Sequence, residues 1–308
     1  MKLIIFPSPS KEQNVNERLF NTVSQYMKAD DHLLVEDTLL EPLESYKNIS
    51  AIVVLLDNYG KFIEKHIDFI TKHKEIRFYI HENDIHKTER KAQAYNRYML
   101  LRSKLLELDH VYILAYYWYH YKRLYPIKDS NLICFPKFVI KQPDISFRND
   151  VVSRVLLSGS LSKDTYPVRN ELLEKRHRLV DVLEPERNIT GVKYIQYLGG
   201  YLCCFTCCAN ERTPYLINKF FEIPYSGSLL LAYDEWIKPG LQFIGMRDGV
   251  HYISCNPHNM IAKIEWICHP RNRAQVDCIR RAGQEWVTKW HTDEMRYKIL
   301  SNIISKNG

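Results

Sequence analysis

Lys219 and Glu222 stand one helical turn apart, just ahead of a small-residue bend, Ser226-Gly227-Ser228. A cation and a carboxylate on one helix face, followed by backbone N–H groups and hydroxyls, can hold phosphate oxygens and the hydroxyls of a ribose. A glutamate on a helix is ordinarily solvated; the order of these residues is what sets this one apart. A second candidate is Ser158-Gly159-Ser160-Leu161-Ser162-Lys163, with Arg169 behind it. Gly159 permits close backbone approach, the hydroxyls can donate, and Lys163 and Arg169 can neutralise phosphate charge. The glycine spacing is neither GxGxxG nor a P-loop, and an ordinary strand-to-helix turn has the same composition.

His81-Glu82-Asn83-Asp84-Ile85-His86 is a third candidate, expected on the loop after a strand at Ile76 to Ile80. Two histidines and two carboxylates there can supply a general base or bind acceptor hydroxyls. Asn83 and Asp84 are also turn formers, and Asp84 can cap a following helix. Gly245 to His251 reads as a structural turn between strands at Leu241 to Ile244 and His251 to Ser254. Cys204 and Cys207 make a CxxC without a second close pair, inside the apolar, strand-like run Tyr201 to Cys207. Buried strand cysteines are the expectation there, with no metal site.

These candidates need elements to position them. Thr213 can cap a helix, Pro214 suits its first turn, and Leu216, Phe220 and Ile223 give it an apolar face. Pro224 and the bend end it, and Leu229 to Ala232 reads as a strand buried on both faces of a parallel sheet. Upstream, strands at Lys2 to Phe6, Ala51 to Asp57, Ile76 to Ile80, Val111 to Ala115 and Leu132 to Phe135 alternate with helices, the longest at Lys87 to Leu108. That alternation predicts crossover units and a parallel sheet. Periodicity lapses from Pro136 to Asp150, as in a linker, and alternation resumes with a strand at Arg154 to Leu157. Ligands of such sheets sit beyond the carboxyl ends of the strands, which is where the candidates fall.

At 308 residues, 45% hydrophobic, the chain can build two domains. Its net charge of +7 is scattered among acidic residues and accompanies no nucleic-acid motif, so a nucleic-acid partner is not expected. No run approaches the roughly 18 apolar residues of a membrane span. The run Leu3 to Phe6 reads as a first strand rather than a leader, and the eight cysteines as free thiols, so a cytoplasmic location is expected.

Four segments occur in a recognisable order: RVLLSGSLSKDTYPVRNELL, YLINKFFEIPYSGSLLLAY, FIGMRDGVHYI and IRRAGQEWVTKWHTDEMR. With them the chain resembles CgeB-like, family-1-type glycosyltransferases, at Lys219 to Gly227, Gly245 to Ile253 and Gly283 to Arg296. The resemblance covers the second half well and the first half more loosely. It implies an α/β GT-B fold, two Rossmann-like doubly wound domains facing an interdomain cleft. Residues 1–140 would bind the acceptor, 151–285 the nucleotide sugar, and 286–308 would form a helix packing back on the first domain.

The implied activity is sugar transfer from a nucleotide diphosphate sugar to a hydroxyl of a glycan or other acceptor, with no metal and no cofactor besides the donor. The same fold serves nucleotide-sugar epimerases and hydrolases, and a noncatalytic nucleotide or polyanion binder is a third reading. Glu222 matches the position that binds the donor ribose. Gly159, Ser160, Lys163, Arg169, Lys219, Ser226, Gly227 and Ser228 complete the expected donor site, His81 and Glu82 the acceptor site, with Asp84 or His86 as base. Relatives with two glutamates eight apart would need the first at position 214, where this chain has Pro214. The retaining assignment that rests on that pair therefore does not carry over.

Overall fold

The computed structural model describes residues 2–6, 15–28, 32–36, 40–55, 59–82, 100–183 and 189–306. The chain divides into two units, Met1–Pro136 with Asp293–Gly308, and Lys137–Thr292. In the first, β1 (Lys2–Phe6), α1 (Val15–Lys28), β2 (Leu33–Glu36), β3 (Ala51–Val54), α2 (Tyr59–Lys72) and β4 (Arg77–Glu82) are followed by α3 (residues 100–106), β5 (Val111–Ala115), α4 (Trp118–Leu124) and β6 (Leu132–Cys134). The strands form one sheet in the order β2-β1-β3-β4-β5-β6, parallel throughout. Helices close the crossovers because each carries an apolar stripe: Phe20, Val23 and Met27 on α1, and Phe62, Ile63, Phe69 and Ile70 on α2, are all buried.

The second unit repeats the scheme with β7 (Val152–Leu157), α5 (Pro167–Glu174), β8 (Val180–Val182), α6 (Gly191–Gly199), β9 (Tyr201–Cys207), α7 (Lys219–Tyr225), β10 (Leu229–Tyr233), α8 (Lys238–Phe243), β11 (Ile253–Cys255), α9 (Met260–Cys268) and α10 (Arg273–Trp290). Its parallel sheet runs β11-β10-β9-β7-β8. The chain winds outward in both directions from the β7–β9 pair, which makes their carboxyl ends the topological switch point of this sheet. Every residue of β10 is buried, as expected of a strand covered on both faces. The last helix, α11 (Asp293–Lys306), belongs to the first unit, where its Tyr297 stacks on Tyr26 of α1 at 5.7 Å.

The structure corrects several expectations. Residues Thr213 to Asn218 are not helical; the Asn210 side chain accepts from the Thr213 amide and hydroxyl, each at 3.1 Å, and holds a turn there, so α7 begins at Lys219. Pro224 lies inside α7 instead of ending it. Leu241 to Ile244 is not a strand. Pro239 opens the short helix α8 over it, which buries Leu241 and leaves Phe243 exposed. The Gly245 to His251 turn therefore joins a helix to β11 and is not a hairpin. The short strands β2 and β8, each at the edge of its sheet, were not expected. The predicted helix Lys87 to Leu108 lies within the described residues only from Leu100.

Candidate functional site

At the carboxyl end of β7 the chain turns through Ser158 and Gly159, the latter at φ +94°. That conformation favours glycine, and space demands it as well. A Cβ at position 159 would stand 2.8 Å from Cε of Lys219 and 3.1 Å from Nη1 of Arg169. Two cations thus close on one bare stretch of backbone. Arg169, on α5, is buried; its guanidinium donates to the Ser160 carbonyl at 3.2 Å, to Thr206 Oγ1 at 3.3 Å and to the Cys207 carbonyl at 3.4 Å. The Tyr166 ring lies 3.9 Å from its central carbon. Arg169 thereby ties the β7 loop to the end of β9 across the switch point, and its Nε has no hydrogen-bond partner among the described residues.

Lys219 and Glu222 share a face of α7 because Phe220, Phe221 and Ile223 occupy the buried one. The Lys219 ammonium donates to the Tyr194 hydroxyl from α6, and that hydroxyl also shares a hydrogen bond of 2.9 Å with Ser158 Oγ. Burial lowers the Lys219 pKa to about 8, with Arg169 adding to the shift and Glu222 opposing it. Burial raises the pKa of Glu222, against the pull of Lys219 and Lys137. Glu222 is half-buried, and no described side chain lies within hydrogen-bond or ion-pair distance of its carboxylate. The site therefore presents two cations at a glycine turn and, one helical turn away, an acceptor-only carboxylate that no described residue hydrogen-bonds.

Gly159, Arg169, Lys219 and Glu222 are brought together as the sequence led one to expect. Ser160 contributes its carbonyl to Arg169, while its exposed hydroxyl accepts only from the Ser162 amide at 3.4 Å. Lys163 points elsewhere. It is exposed and pairs with Glu174 at 2.6 Å, which raises its pKa.

The Ser226-Gly227-Ser228 bend serves the fold in place of the expected ligand. Ser226 Oγ donates to the Ile223 carbonyl at 2.6 Å, and Ser228 Oγ to the Tyr201 carbonyl at 3.0 Å. The Gly227 amide donates to the Pro224 carbonyl, and the Gly227 carbonyl accepts from buried Arg280 at 2.9 Å. Both hydroxyls are thus engaged in turning α7 into β10.

His81 and Glu82 are not on a loop. β4 runs two residues longer than its apolar pattern because both pair with β5, opposite Leu114 and Ala115. Both are fully buried, His81 among the rings of Phe20, Tyr116 and Phe135 and Glu82 in an ion pair with Arg102, so neither is open to an acceptor. Asp84 and His86 lie outside the described residues. Cys204 and Cys207 project to opposite faces of β9 into separate cores, which keeps them from one metal ion. Tyr194 and Lys137 escaped the sequence reading. A tyrosine in the first turns of an unremarkable helix carries no signal until the fold sets it beside Ser158 and Lys219.

Neither a protein-family model nor a curated protein sequence matches the chain, so the likeness to CgeB-like enzymes rests on the motifs quoted above. Solved structures do match over its whole length. A sucrose-phosphate synthase from Thermosynechococcus elongatus superposes with a TM-score of 0.66 at 10% identity, covering 99% of both chains. HepE of Anabaena, solved with UDP and glucose, gives 0.64 at 11% identity, again over 99% of both. An alpha-glucosyltransferase solved with UDP and a 13-mer DNA containing an A:G mismatch gives 0.57 at 11% identity, over 99% of this chain and 100% of that one. At such identities the likeness is one of fold, and that fold, two parallel sheets with flanking helices in the GT-B manner, is the one this chain has.

Proposed function

We propose that the chain is a glycosyltransferase whose second unit holds a nucleoside diphosphate sugar and whose reaction moves the sugar to a hydroxyl of a glycan or similar acceptor. The observation that carries this reading is Glu222, an unsatisfied carboxylate one turn from Lys219 at the switch point of the second sheet. Cations and an acceptor side by side match the two ends of a ribosyl diphosphate. Lys219 meets the diphosphate over Gly159, the buried Arg169 guanidinium behind the turn adds positive charge there, and Glu222 accepts from the ribose hydroxyls. Similar structures solved with UDP support the class of donor.

Breaking the bond from the sugar to the diphosphate leaves negative charge on the departing oxygen. Fixed cations in a partly dry site stabilise that charge in the transition state without reorganising, which is the electrostatic part of the catalysis. Two such cations meet the need without a metal, and the chain is proposed to work without one.

Thermal unfolding in the presence of nucleoside diphosphates and their sugars tests the reading. A true donor at 100 times its Kd adds about 2.7 kcal/mol of stability. Product analysis with that donor and a panel of hydroxyl acceptors should then show an extended acceptor. A free nucleotide sugar altered or hydrolysed with no acceptor ever extended would replace transfer by epimerisation or hydrolysis, and no stabilisation by any nucleotide would remove the reading altogether.

A further inference from the structure

A lysine and a glutamate three residues apart on a helix are neighbours and ordinarily attract, the more so where water is partly excluded. Lys219 and Glu222 do not pair, and the contacts of Lys219 say why. Its ammonium is drawn to the hydroxyl of Tyr194 and sits 4.6 Å from the centre of that ring. The hydroxyl is itself anchored to Ser158 Oγ at 2.9 Å, and Cε of Lys219 lies 2.8 Å from where a side chain at position 159 would begin. Resting on the nucleotide reading above, we infer that Tyr194 is a positioning residue that holds Lys219 over the Gly159 turn and so keeps it from capturing Glu222. One cation is thereby reserved for phosphate and one carboxylate for ribose, although both stand on the same face of one short helix.

Four elements present groups to Lys219: Glu222 on α7, Arg169 on α5, Tyr194 on α6 and Cys204 on β9, with Ser158 in the loop after β7. Glu222 attracts the ammonium and Arg169 repels it. Removing the Tyr194 hydroxyl leaves Glu222 as the one attractive charge, so Lys219 closes onto it. Both ligand contacts are then lost together, and pairing with a carboxylate raises the pKa of Lys219.

Calorimetric titration with inorganic pyrophosphate, which has no ribose, isolates the effect on Lys219. Tyr194→Phe should weaken pyrophosphate binding about tenfold, whereas the same change in a Glu222→Gln background should cost less than about threefold, because the capturing charge is gone. The loss of binding at alkaline pH should also move to higher pH in Tyr194→Phe alone. Ser158→Ala, which keeps the ring and frees its hydroxyl, should give the same pattern at smaller size, and it decides the matter if Tyr194→Phe does not fold. A penalty of equal size with and without the Glu222 charge, or an unmoved alkaline limb, would overturn the inference while leaving the nucleotide site standing. A wild-type chain that binds neither UDP nor pyrophosphate would overturn both.

Discussion

Two carboxylates, Glu82 at the end of β4 and Glu222 on α7, have opposite fates. In the first unit, Glu82 closes β4 fully buried and joined to Arg102, whose guanidinium lies 4.1 Å from the Tyr125 ring and 5.4 Å from that of Tyr121. In the second, Glu222 stands beside Lys219, and among the described residues no side chain hydrogen-bonds or ion-pairs with its carboxylate. A charge that the chain satisfies internally contributes to one fixed structure; a carboxylate held apart from the lysine beside it keeps its acceptor capacity, which the proposed function assigns to a ribose. That difference separates a structural ion pair from a candidate binding group, and residue type alone does not show it, since each place pairs a glutamate with a cation.

The comparison breaks most visibly in stability. Glu82→Ala removes the carboxylate that pairs with the buried Arg102 and should cost about 3–5 kcal/mol in urea unfolding. Glu222→Ala should change stability by less than about 0.5 kcal/mol in either direction, because no native contact is lost. Equal destabilisation by the two would erase the distinction.

Next in size is the effect of Lys219 on ligand. Lys219→Met should weaken UDP binding by roughly 30- to 100-fold while leaving the melting temperature unchanged or higher, since a half-buried charge is removed. The wild-type Kd for UDP should rise as pH increases through about 8, where the free protein loses the Lys219 proton that binding requires. The slope should approach about tenfold per pH unit and vanish in Lys219→Met. The same pKa makes the ligand-free chain gain stability from this group between about 8 and 10.5, where only the unfolded state still holds the proton. The smallest effect is expected at Lys163. Its exposed pair with Glu174 leaves it outside the site, so Lys163→Ala should alter UDP affinity by less than about twofold.

Much of this architecture can be read from the amino-acid pattern. Tyr201–Cys207 and Leu229–Tyr233 are apolar runs of strand length and became central strands. Parallel strands buried on both faces announce themselves this way. Val180–Val182 and Leu33–Glu36 did not, because three or four half-exposed residues carry no period. Leu241 misled for the opposite reason: a short apolar run next to a glycine turn serves a helix or a strand equally well, and Pro239 decided it. Within the candidate site, Gly159 and Arg169 drew attention by following a strand, Lys219 and Glu222 by their helical spacing ahead of the bend, and the fold sets these residues near one another. Ser226 and Ser228 look like ligands by type, but which way a hydroxyl turns depends on the carbonyls around it, and here those are Ile223 and Tyr201. Tyr194 became visible only when α6, α7 and β7 met.

The role given to Glu222 is tested most directly by measuring Kd for UDP and for 2′,3′-dideoxy-UDP on the wild-type chain and on Glu222→Ala. A carboxylate that accepts from both ribose hydroxyls should make the wild type prefer UDP by about 30-fold or more, and the substitution should bring the two ligands to within about threefold of each other. A Glu222→Ala protein that still discriminates as the wild type does would show that the ribose is held elsewhere.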